Sequence, residues 1–485
     1  MTADSTLYRL NEYELSDSLL TGMGISDKNG WHLPFSGQIK LSDIACIQTS
    51  EVDQFRSLLA VGFIVFLART VNEDLSGNAN GISMSEKTGY YSPPTGGGTG
   101  ESSCPYVYSW NGTRYVLEAE AFGIALGKAL EMNTLSVLPS LREDRSSLKI
   151  KVANERPETH YLNSVRLIAA EVEEKASVFA DPDNTLWPVR RLDPPIRAFD
   201  RFGKDMLGEV AKADQSYWQA DLPQALKCSD FEDVIDLAFI RPSSSEEGSL
   251  VIQAINTNLS GAVFKKLFEI MGGQSLAFMH AVENDADLID VLRMWTRESS
   301  LKVYQHDGDS WIPVGTVHPE ATATPFSRLV RLRADPCNGD TVRVRLSCLT
   351  DVWKIDAIRT DWTAVQPCQS VPVRLLSAVG PGNKDVSSAL EADDGRYAVL
   401  LPPDEVNLNF QAIQVSPGKK IVYAFDARGY LHEWETVNNG QDALSRDEVD
   451  HRNNRIAFLK NLLRQKSILL PQIYSEWMQM KNRNH

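Results

Sequence analysis

The chain has 485 residues, of which 42% are hydrophobic and 23% are charged, and its formal net charge is −15. This composition is ordinary for a soluble globular protein of about three domains, and it excludes collagen-like, wholly disordered and multi-span membrane chains. The acidic balance disfavours nucleic-acid binding, because an acidic surface repels a phosphate backbone.

The N-terminal residues 1–75 predict a small β module. Asn29-Gly30 precedes Trp31 and is a strong hairpin signal, because both turn positions must tolerate a positive φ. Residues 1–20 contain five charged side chains and no apolar core of a signal peptide. We therefore expect a cytoplasmic or peripheral membrane location.

One apolar segment, residues 58–68 (LLAVGFIVFLA), lies between Arg56 and Arg69. As a helix it would span roughly 16 Å, about half of a ~30 Å hydrocarbon core. The segment therefore fits a buried core element better than a membrane span, and an interfacial anchor stays open as the alternative. Residues 76–103 are rich in Gly, Ser and Pro and predict a flexible linker.

An internal duplication organises the rest of the chain. Seven blocks match in the same order, with offsets that fall from 196 to 170. The matched blocks are Val107–Val116 with Val303–Ile312, Leu148–Val152 with Val342–Leu346, Leu162–Arg166 with Ile355–Arg359, Pro188–Arg190 with Pro372–Arg374, Asp214 and Tyr217 with Asp394 and Tyr397, Ile235–Phe239 with Val406–Phe410, and Gly248–Ala254 with Gly418–Ala424. Most matched residues are typical of strands, and the gaps between the blocks resemble turns.

The duplication predicts a mainly β fold with added α elements. We expect two tandem jelly-roll-like β-sandwiches, over residues 104–261 and 300–436. A helical connector over residues 262–299 is predicted by an apolar stripe that ends at Trp295.

The C-terminal tail, residues 446–485, carries eight Lys or Arg and four Asp or Glu, so it is +4 while the remainder is −19. Its first part predicts a basic amphipathic helix that ends before Pro471. The basic residues are candidates for contact with an anionic membrane or an acidic partner: Arg455, Lys460, Arg464 and Lys466. Docking on the acidic body of the same chain is the other interpretation.

Motifs with catalytic chemistry are missing from the sequence. There is no phosphate loop, no G-x-S-x-G elbow and no H-E-x-x-H pair, and the six cysteines lack zinc spacing. Glu118 and Glu120 would share one strand face as an acid/base pair, but a structural role is the simpler interpretation. The carboxylate-rich loops 181–184 and 307–309 fit turns better than Ca²⁺ sites. We therefore expect no catalytic residue, no metal site and no cofactor.

The two copies repeat a basic strand that marks a candidate binding surface. Lys149 and Lys151 in the first copy match Arg343 and Arg345 in the second. Trp110 and Trp311 lie in the matched hairpins, and aromatic rings there suit a partner contact or sugar stacking. Basic side chains on an exposed strand also protect a sheet edge, which is the alternative role.

The segment Cys104–Tyr115, with its Cys-Pro-x-Val-Tyr-x-Trp-x-Gly pattern, resembles the opening signature of a group of uncharacterised bacterial proteins. Asn154-Glu155, Glu158-Thr159 and Asp394–Tyr397 fit the same group, so the resemblance covers residues 104–435. It implies an association with the membrane, often as a lipoprotein, and no known activity. The run Trp353–Arg359 resembles the closing strand of galactose-binding-like jelly rolls, which concerns the fold more than the function.

These features favour a non-catalytic binding or scaffold protein that presents β-sandwich surfaces to a protein partner, with a membrane surface as a further contact. A glycan-binding module is the first alternative. A hydrolase whose site is assembled from distant loops is the second, and a cleft with a buried carboxylate pair or histidine would favour it.

Overall fold

The computed structural model describes residues 7–15, 19–28 and 31–40, and then 105–483 except for 157, 229, 243–246, 265–280, 334–339, 434–455, 462 and 465. The chain divides into two compact units, Met1–Tyr90 and Tyr91–His485. The predicted apolar segment 58–68 and linker 76–103 lie outside the described residues.

The first unit contains a three-stranded antiparallel sheet. Its strands are β1 (Leu7–Leu15), β2 (Leu19–Lys28) and β3 (Trp31–Lys40), in the order β1-β2-β3. Lys28 pairs with Trp31, which is the register that a two-residue Asn-Gly connection requires.

The second unit contains two β-sandwiches, which we call A and B. Sandwich A has two sheets, A1 and A2. Sheet A1 has the order β22-β21-β24-β8-β4-β5, with β7 paired to β8. Its strands are β4 (Tyr106–Trp110), β5 (Tyr115–Glu120), β7 (Glu143–Asp144), β8 (Ser147–Ala153), β21 (Leu375–Gly380), β22 (Lys384–Asp385) and β24 (Glu405–Gln411).

Sheet A2 has the order β20-β9-β25-β6, with β23 paired to β9. Its strands are β6 (Met132–Val137), β9 (Glu158–Glu173), β20 (Ser370–Val373), β23 (Ala398–Leu400) and β25 (Lys419–Glu433).

Sandwich B is built in the same way from sheets B1 and B2. Sheet B1 has the order β12-β13-β18-β15-β16. Its strands are β12 (Arg197–Asp200), β13 (Glu232–Ile240), β15 (Leu301–His306), β16 (Trp311–Val317) and β18 (Thr341–Leu349). Sheet B2 has the order β11-β10-β17-β14-β19. Its strands are β10 (Ser177–Ala180), β11 (Leu186–Val189), β14 (Glu247–Asn256), β17 (Phe326–Arg333) and β19 (Trp353–Asp361).

Short helices join the strands, so the fold is mainly β with added α, as predicted. The helices are α1 (Leu207–Val210), α2 (Leu222–Ala225), α3 (Ala286–Ser299), α4 (Ser387–Leu390) and α5 (Lys466–Arg483), with 3-10 turns at Lys128–Leu130 and Pro381–Asn383. In the predicted connector, residues 262–264 and 281–284 are also helical. The predicted apolar stripe of α3 is buried at Leu288, Val291, Leu292 and Trp295.

The two sandwiches are nested, which corrects the predicted tandem arrangement. Sandwich A takes β4–β9 from the first copy and β20–β25 from the second, and sandwich B is formed by β10–β19 between them. Strand β8 pairs with β24 across the predicted limits 104–261 and 300–436. Because the two copies carry similar strand patterns, the sequence pattern alone does not distinguish the second half of a copy from that of its duplicate as a pairing partner.

The strand registers show the duplication directly. Val152 pairs with Val107 and Val406 in sheet A1, and Leu346 pairs with Val303 and Ile235 in sheet B1. In both sheets a β-bulge follows the first residue of the matched hairpin pair, after Val107 and after Val303. The matched residues therefore occupy equivalent places in the two sandwiches.

Two of the seven matched blocks need a different register. The first is the block Gly248–Ala254. Gly429 pairs with Leu162 at a bulge of sheet A2, and Ala254 pairs with Ile355 at the equivalent bulge of sheet B2. Gly429 is therefore the equivalent of Ala254, and the offset is 429 − 254 = 175 where the sequence predicted 170. The pairs Val373–Leu167 and Asp193–Thr360 likewise give 373 − 193 = 180 in place of 184. Strands of alternating small and β-branched residues match at several registers, so the sequence alone does not select one.

Each sandwich encloses its own apolar core. In core A the inward side chains of β8, Leu148, Ile150 and Val152, pack with residues of sheet A2 such as Leu162 and Leu167. Core B combines the inner faces of B1 and B2 with α3 and the C-terminal helices. Each fully buried aliphatic side chain contributes about 1.5–3 kcal/mol relative to an exposed one.

The C-terminal helix α5 continues through Pro471, although the sequence predicted an interruption there. Leu470, Ile473 and Tyr474 are buried in core B, and the Tyr474 hydroxyl donates a hydrogen bond of 2.5 Å to the carbonyl of Thr350. These tertiary contacts hold the helix on both sides of the proline, so packing overrides the local helix-breaking tendency.

Gly248 tests how tightly sheet B2 is packed. A Cβ atom on Gly248 would lie 2.4 Å from the buried ring of Trp362, whereas Gly208 in α1 has open space at this position. We expect Gly248→Ala to lower the free energy of unfolding by about 1–3 kcal/mol, because a buried ring must shift. Gly208→Ala is the control and should be neutral or slightly stabilising. Urea unfolding of the two variants measures the difference, and equal stabilities would contradict this packing.

Candidate functional site

The outer face of sheet B1 brings together the predicted residues Arg343, Arg345 and Trp311. Arg343 and Arg345 point outward from β18, and both guanidinium groups lie over the ring of Trp311, at 5.4 and 4.3 Å from its centroid. The hairpin register places His306 opposite Trp311 and packs the two rings edge to face at 5.0 Å. Two arginines thus form cation–π contacts with Trp311, whose ring packs on that of His306.

Sheet A1 repeats this arrangement with the predicted residues Lys149, Lys151 and Trp110. The ammonium group of Lys149 lies 5.7 Å from the Trp110 ring, and that of Lys151 lies 5.0 Å from Tyr108 and 5.4 Å from Tyr115. Trp110 packs edge to face against Tyr115. Because the strands correspond, each sandwich carries one cation–aromatic face on its outer surface.

Carboxylates neutralise three of the four cations. Lys149 binds Asp144, Lys151 binds Glu405 at 3.1 Å, and Arg345 forms a two-pronged pair with Asp236 at 2.6 and 2.8 Å. The hydrogen bonds that Arg345 donates to Asp236 raise the pKa of Arg345. Across the described part of the chain, Arg343 has no carboxylate within ion-pair distance. Of these four cations, Arg343 is therefore the one whose charge no described carboxylate neutralises.

Face B1 is also bordered by exposed apolar side chains. Phe199 on β12 is 40% exposed, and Ile240 at the end of β13 is 52% exposed. Phe199 pairs with Asp236, which pairs with Arg345, so these residues form one continuous row across the sheet. Exposed aromatic and aliphatic groups beside arginine are typical of protein-binding surfaces.

The basic helical segment before α5, described at residues 456–461 and 463–464, is docked on the chain itself. Lys460 pairs with Asp285 and Asp287 at 2.8 and 3.3 Å, and Arg464 also pairs with Asp287. The apolar side of this segment is buried in core B, at Ile456, Leu459 and Leu463. Arg455 lies outside the described residues, and Lys466 begins α5. The two described basic side chains are thus engaged by the acidic body, as the second interpretation of the tail expects.

A buried carboxylate pair, Asp233 and Asp351, was not identified from the sequence. The side chains are 4% and 0% exposed. Asp233 accepts hydrogen bonds from the backbone N–H of Asp351 (3.0 Å) and the hydroxyl of Thr350 (3.3 Å). Asp351 accepts them from Gln219 Nε2 (2.7 Å) and Trp477 Nε1 (2.5 Å). All four carboxylate oxygens are therefore bound within the protein, and α5 covers the pair.

Burial, assisted by the negative charge of Asp351, raises the pKa of Asp233 from 3.8 to about 6. Such a shift is common in hydrolytic sites. Here, however, Trp477 and Tyr474 of α5 occupy the space above the pair, where a substrate would have to bind. The pair therefore has the composition expected for the hydrolase alternative but lacks the open cleft.

A tyrosine cluster on sheet A2 was also missed. Tyr161 stacks on Tyr430 with centroids 4.5 Å apart, Tyr397 packs edge to face on both, and His432 packs on Tyr161 at 5.1 Å. The ammonium group of Lys128 lies 5.4 Å from the Tyr397 ring. Burial raises the pKa of Tyr430. These residues are far apart in sequence, so only the strand pairing brings them together.

Sandwich B does not repeat this cluster. The positions equivalent to Tyr161, Tyr430 and His432 are held by Lys354, Ile255 and Thr257. The same strand pairing is thus formed in sandwich B without the aromatic group.

The remaining carboxylates of interest have structural contacts. Glu118 accepts hydrogen bonds from the Ser109 hydroxyl and the backbone N–H of Ser140, and Glu120 binds three backbone N–H groups of residues 322–324. The loop carboxylates Asp181 and Asp307 bind N–H groups of their own turns. Within the described ranges no group of three His, Cys, Asp or Glu side chains is arranged to hold a metal ion.

No helix among the described residues combines the length and the apolarity needed to cross a bilayer.

No family model matches this chain, and no curated protein matches it. Two solved structures show a distant likeness, each at 8% sequence identity. One, from Sulfolobus Turreted Icosahedral Virus, covers 63% of this chain and 91% of its own with a TM-score of 0.15. The other, from the infectious bursal disease virus Gx strain, covers 78% and 90% with a TM-score of 0.13. At these scores the likenesses carry no argument about fold or function.

Proposed function

We propose that this chain is a non-catalytic binding protein that holds a protein partner through the outer face of sheet B1. The observation that carries the proposal is the exposed row of Phe199, Asp236 and Arg345 beside Trp311 and the uncompensated Arg343. Trp and Arg on a rigid sheet are the residue types that dominate binding energy at protein interfaces.

The charges of this face define the partner. Arg197 is exposed and flanks Ala238 on the side opposite Arg343, and no carboxylate among the described residues pairs with either arginine. A complementary surface would place acidic groups opposite these two cations and apolar groups opposite Phe199 and Ile240. Such a partner recognises the face by both charge and apolar area.

The ring geometry argues against sugar stacking on this face. Stacking needs an open aromatic plane, but the guanidinium groups of Arg343 and Arg345 both lie over the ring of Trp311. The ammonium groups of Lys149 and Lys151 similarly cover aromatic rings on sheet A1. The glycan alternative is therefore better supported by the tyrosine cluster of sheet A2, whose three phenol rings adjoin the carboxylates Glu131 and Glu283.

Site-specific photo-crosslinking in the source cells tests the proposal. We expect a crosslinker at Ile240 to capture a defined protein, and one at Val415, which is equally exposed in a loop of sandwich A, to capture none. Trp311→Ala combined with Arg343→Ala should weaken binding of that protein at least tenfold, or about 1.4 kcal/mol.

Two outcomes of these experiments would contradict the proposal. Identical crosslinks at both positions, or unchanged binding by the double variant with an unchanged melting temperature, would contradict the proposal. Quenching of tyrosine fluorescence by soluble polysaccharides, abolished by Tyr161→Lys, would favour the glycan alternative. Tyr161→Lys introduces the residue that sandwich B holds at the equivalent position, and an unchanged melting temperature would show that sandwich A tolerates it.

A further inference from the structure

The outer face of sheet B2 contains a half-buried arginine, Arg359, whose guanidinium group has no hydrogen-bond partner among the residues that the structure describes. Arg359 lies on β19, and its Nε atom is buried without a hydrogen bond. No carboxylate in the described part of the chain forms an ion pair with it. Burial lowers its pKa, and the attraction of Asp356 offsets this effect only in part.

In sandwich A the equivalent arginine has a carboxylate partner. Arg166 is the equivalent of Arg359, and its guanidinium group binds the carboxylate of Asp426 at 2.6 and 3.0 Å. Asp426 is the cross-strand neighbour of Arg166, just as Val251 is the cross-strand neighbour of Arg359. Sandwich B thus has the cation but holds valine where sandwich A holds the carboxylate.

The other carboxylates of β19 do not compensate for this loss. Asp356 accepts hydrogen bonds from the backbone N–H groups of Asp214 and Gln215, at 3.1 and 2.8 Å. Asp361 binds backbone N–H groups of residues 190, 191 and 363. The backbone therefore holds Oδ1 of Asp356 and both oxygens of Asp361. Asp356 attracts Arg359, but neither carboxylate forms an ion pair with it.

We propose that Arg359 is the centre of a binding site for a carboxylate group that comes from outside the chain. A planar guanidinium group can donate two hydrogen bonds to one carboxylate, and Arg166 donates two, both to Oδ2 of Asp426, in sandwich A. Val251 packs in an apolar cluster with Val189 and Leu329, so the fork borders an apolar surface that strengthens a charged hydrogen bond. This site lies on a different sheet from face B1 and does not depend on the proposed function.

Ligand-observed NMR with sodium benzoate tests the site on the full chain. A two-pronged, partly exposed contact predicts a dissociation constant on the order of 10 mM. Arg359→Met, which keeps the apolar stem, should weaken binding at least tenfold. Val251→Asp should do the same, because it restores the internal carboxylate of sandwich A. Arg166→Met is the matched control and should leave benzoate binding unchanged.

Melting temperatures separate a lost site from a lost fold. Val251→Asp should fold as well as the parent, because Arg359 neutralises the new charge. Val251→Asp combined with Arg359→Met should melt lower by about 5 °C or more, because it buries an unpaired carboxylate. Benzoate binding that persists in Arg359→Met would overturn the proposal, and so would phosphate binding in preference to benzoate. The peptide acetyl-Gly-Glu-Gly-amide identifies the source: tighter binding than benzoate indicates a protein side chain, and weaker binding indicates a small organic acid.

Discussion

Glu120→Ala is expected to destabilise the second unit by about 3–5 kcal/mol. Glu120 ends β5 of sandwich A, is 3% exposed, and accepts hydrogen bonds from the backbone N–H groups of Thr322, Ala323 and Thr324 in sandwich B. Without the carboxylate, three backbone N–H groups, of which that of Thr324 is buried, lose their acceptor at once. Urea unfolding followed by tryptophan fluorescence measures the loss.

The same substitution should also make the two sandwiches unfold separately in calorimetry, because Glu120 joins sandwich A to the loop 322–324 of sandwich B. We expect the unfolding transition of Glu120→Ala to broaden or split into two. Glu120→Gln should lie in between, since its amide places a donor against a donor. Glu155→Gln, on an exposed carboxylate, is the control and should change stability by less than about 0.5 kcal/mol. A loss no larger than that of the control would mean that Glu120 does not hold the sandwiches together.

Asp233→Asn is expected to remove part of the pH dependence of stability. Burial raises the pKa of Asp233 from 3.8 to about 6, so the folded protein takes up a proton that the unfolded chain still lacks as the pH falls from 6 towards 4. This group therefore makes the protein more stable in mild acid, by about 2 kcal/mol between about pH 7.5 and pH 4.5. At neutral pH its buried charge opposes folding.

The measurement is a pair of urea titrations at the two pH values, for the parent and for Asp233→Asn. The advantage of the variant over the parent should be largest near neutral pH and should shrink by about 2 kcal/mol in acid. Asp236→Asn is a suitable control, because Asp236 lies on the same strand but is half-exposed and paired with Arg345. A constant difference between the parent and Asp233→Asn at both pH values would show that the buried pair is not the source.

The sequence predicted the fold class because its signals are local. Alternating strands, the Asn-Gly and Asp-Gly turns and the apolar stripe of α3 depend on neighbours within a few residues. The exchange of half-copies depends on strands more than 170 residues apart, such as β13 and β24, which compete for equivalent positions. Two identical strand patterns make these partners interchangeable in sequence.

The candidate surface was partly predictable for the same reason. Arg343, Arg345 and Trp311 lie in matched strands of one hairpin sheet, so the repeat itself pointed to them. Asp233 and Tyr161 carry no such signal. Arg359 ends a matched block, but its chemistry, like theirs, arises from burial and from cross-strand neighbours. Arg359 became identifiable only when its equivalent, Arg166, was seen with a carboxylate.

The nested order of the sandwiches has a consequence for synthesis on the ribosome. Strands β4–β9 emerge first, but their partners β20–β25 follow only after the whole of sandwich B, roughly 200 residues later. At ~5–20 residues per second this is a wait of roughly 10 to 40 seconds with unpaired strand edges. Sandwich B, contiguous in the chain, is complete first. Nascent chains of neighbouring ribosomes present the same free edges, so we expect expression yield to depend on translation rate and chaperone supply more than on the stability of the finished protein.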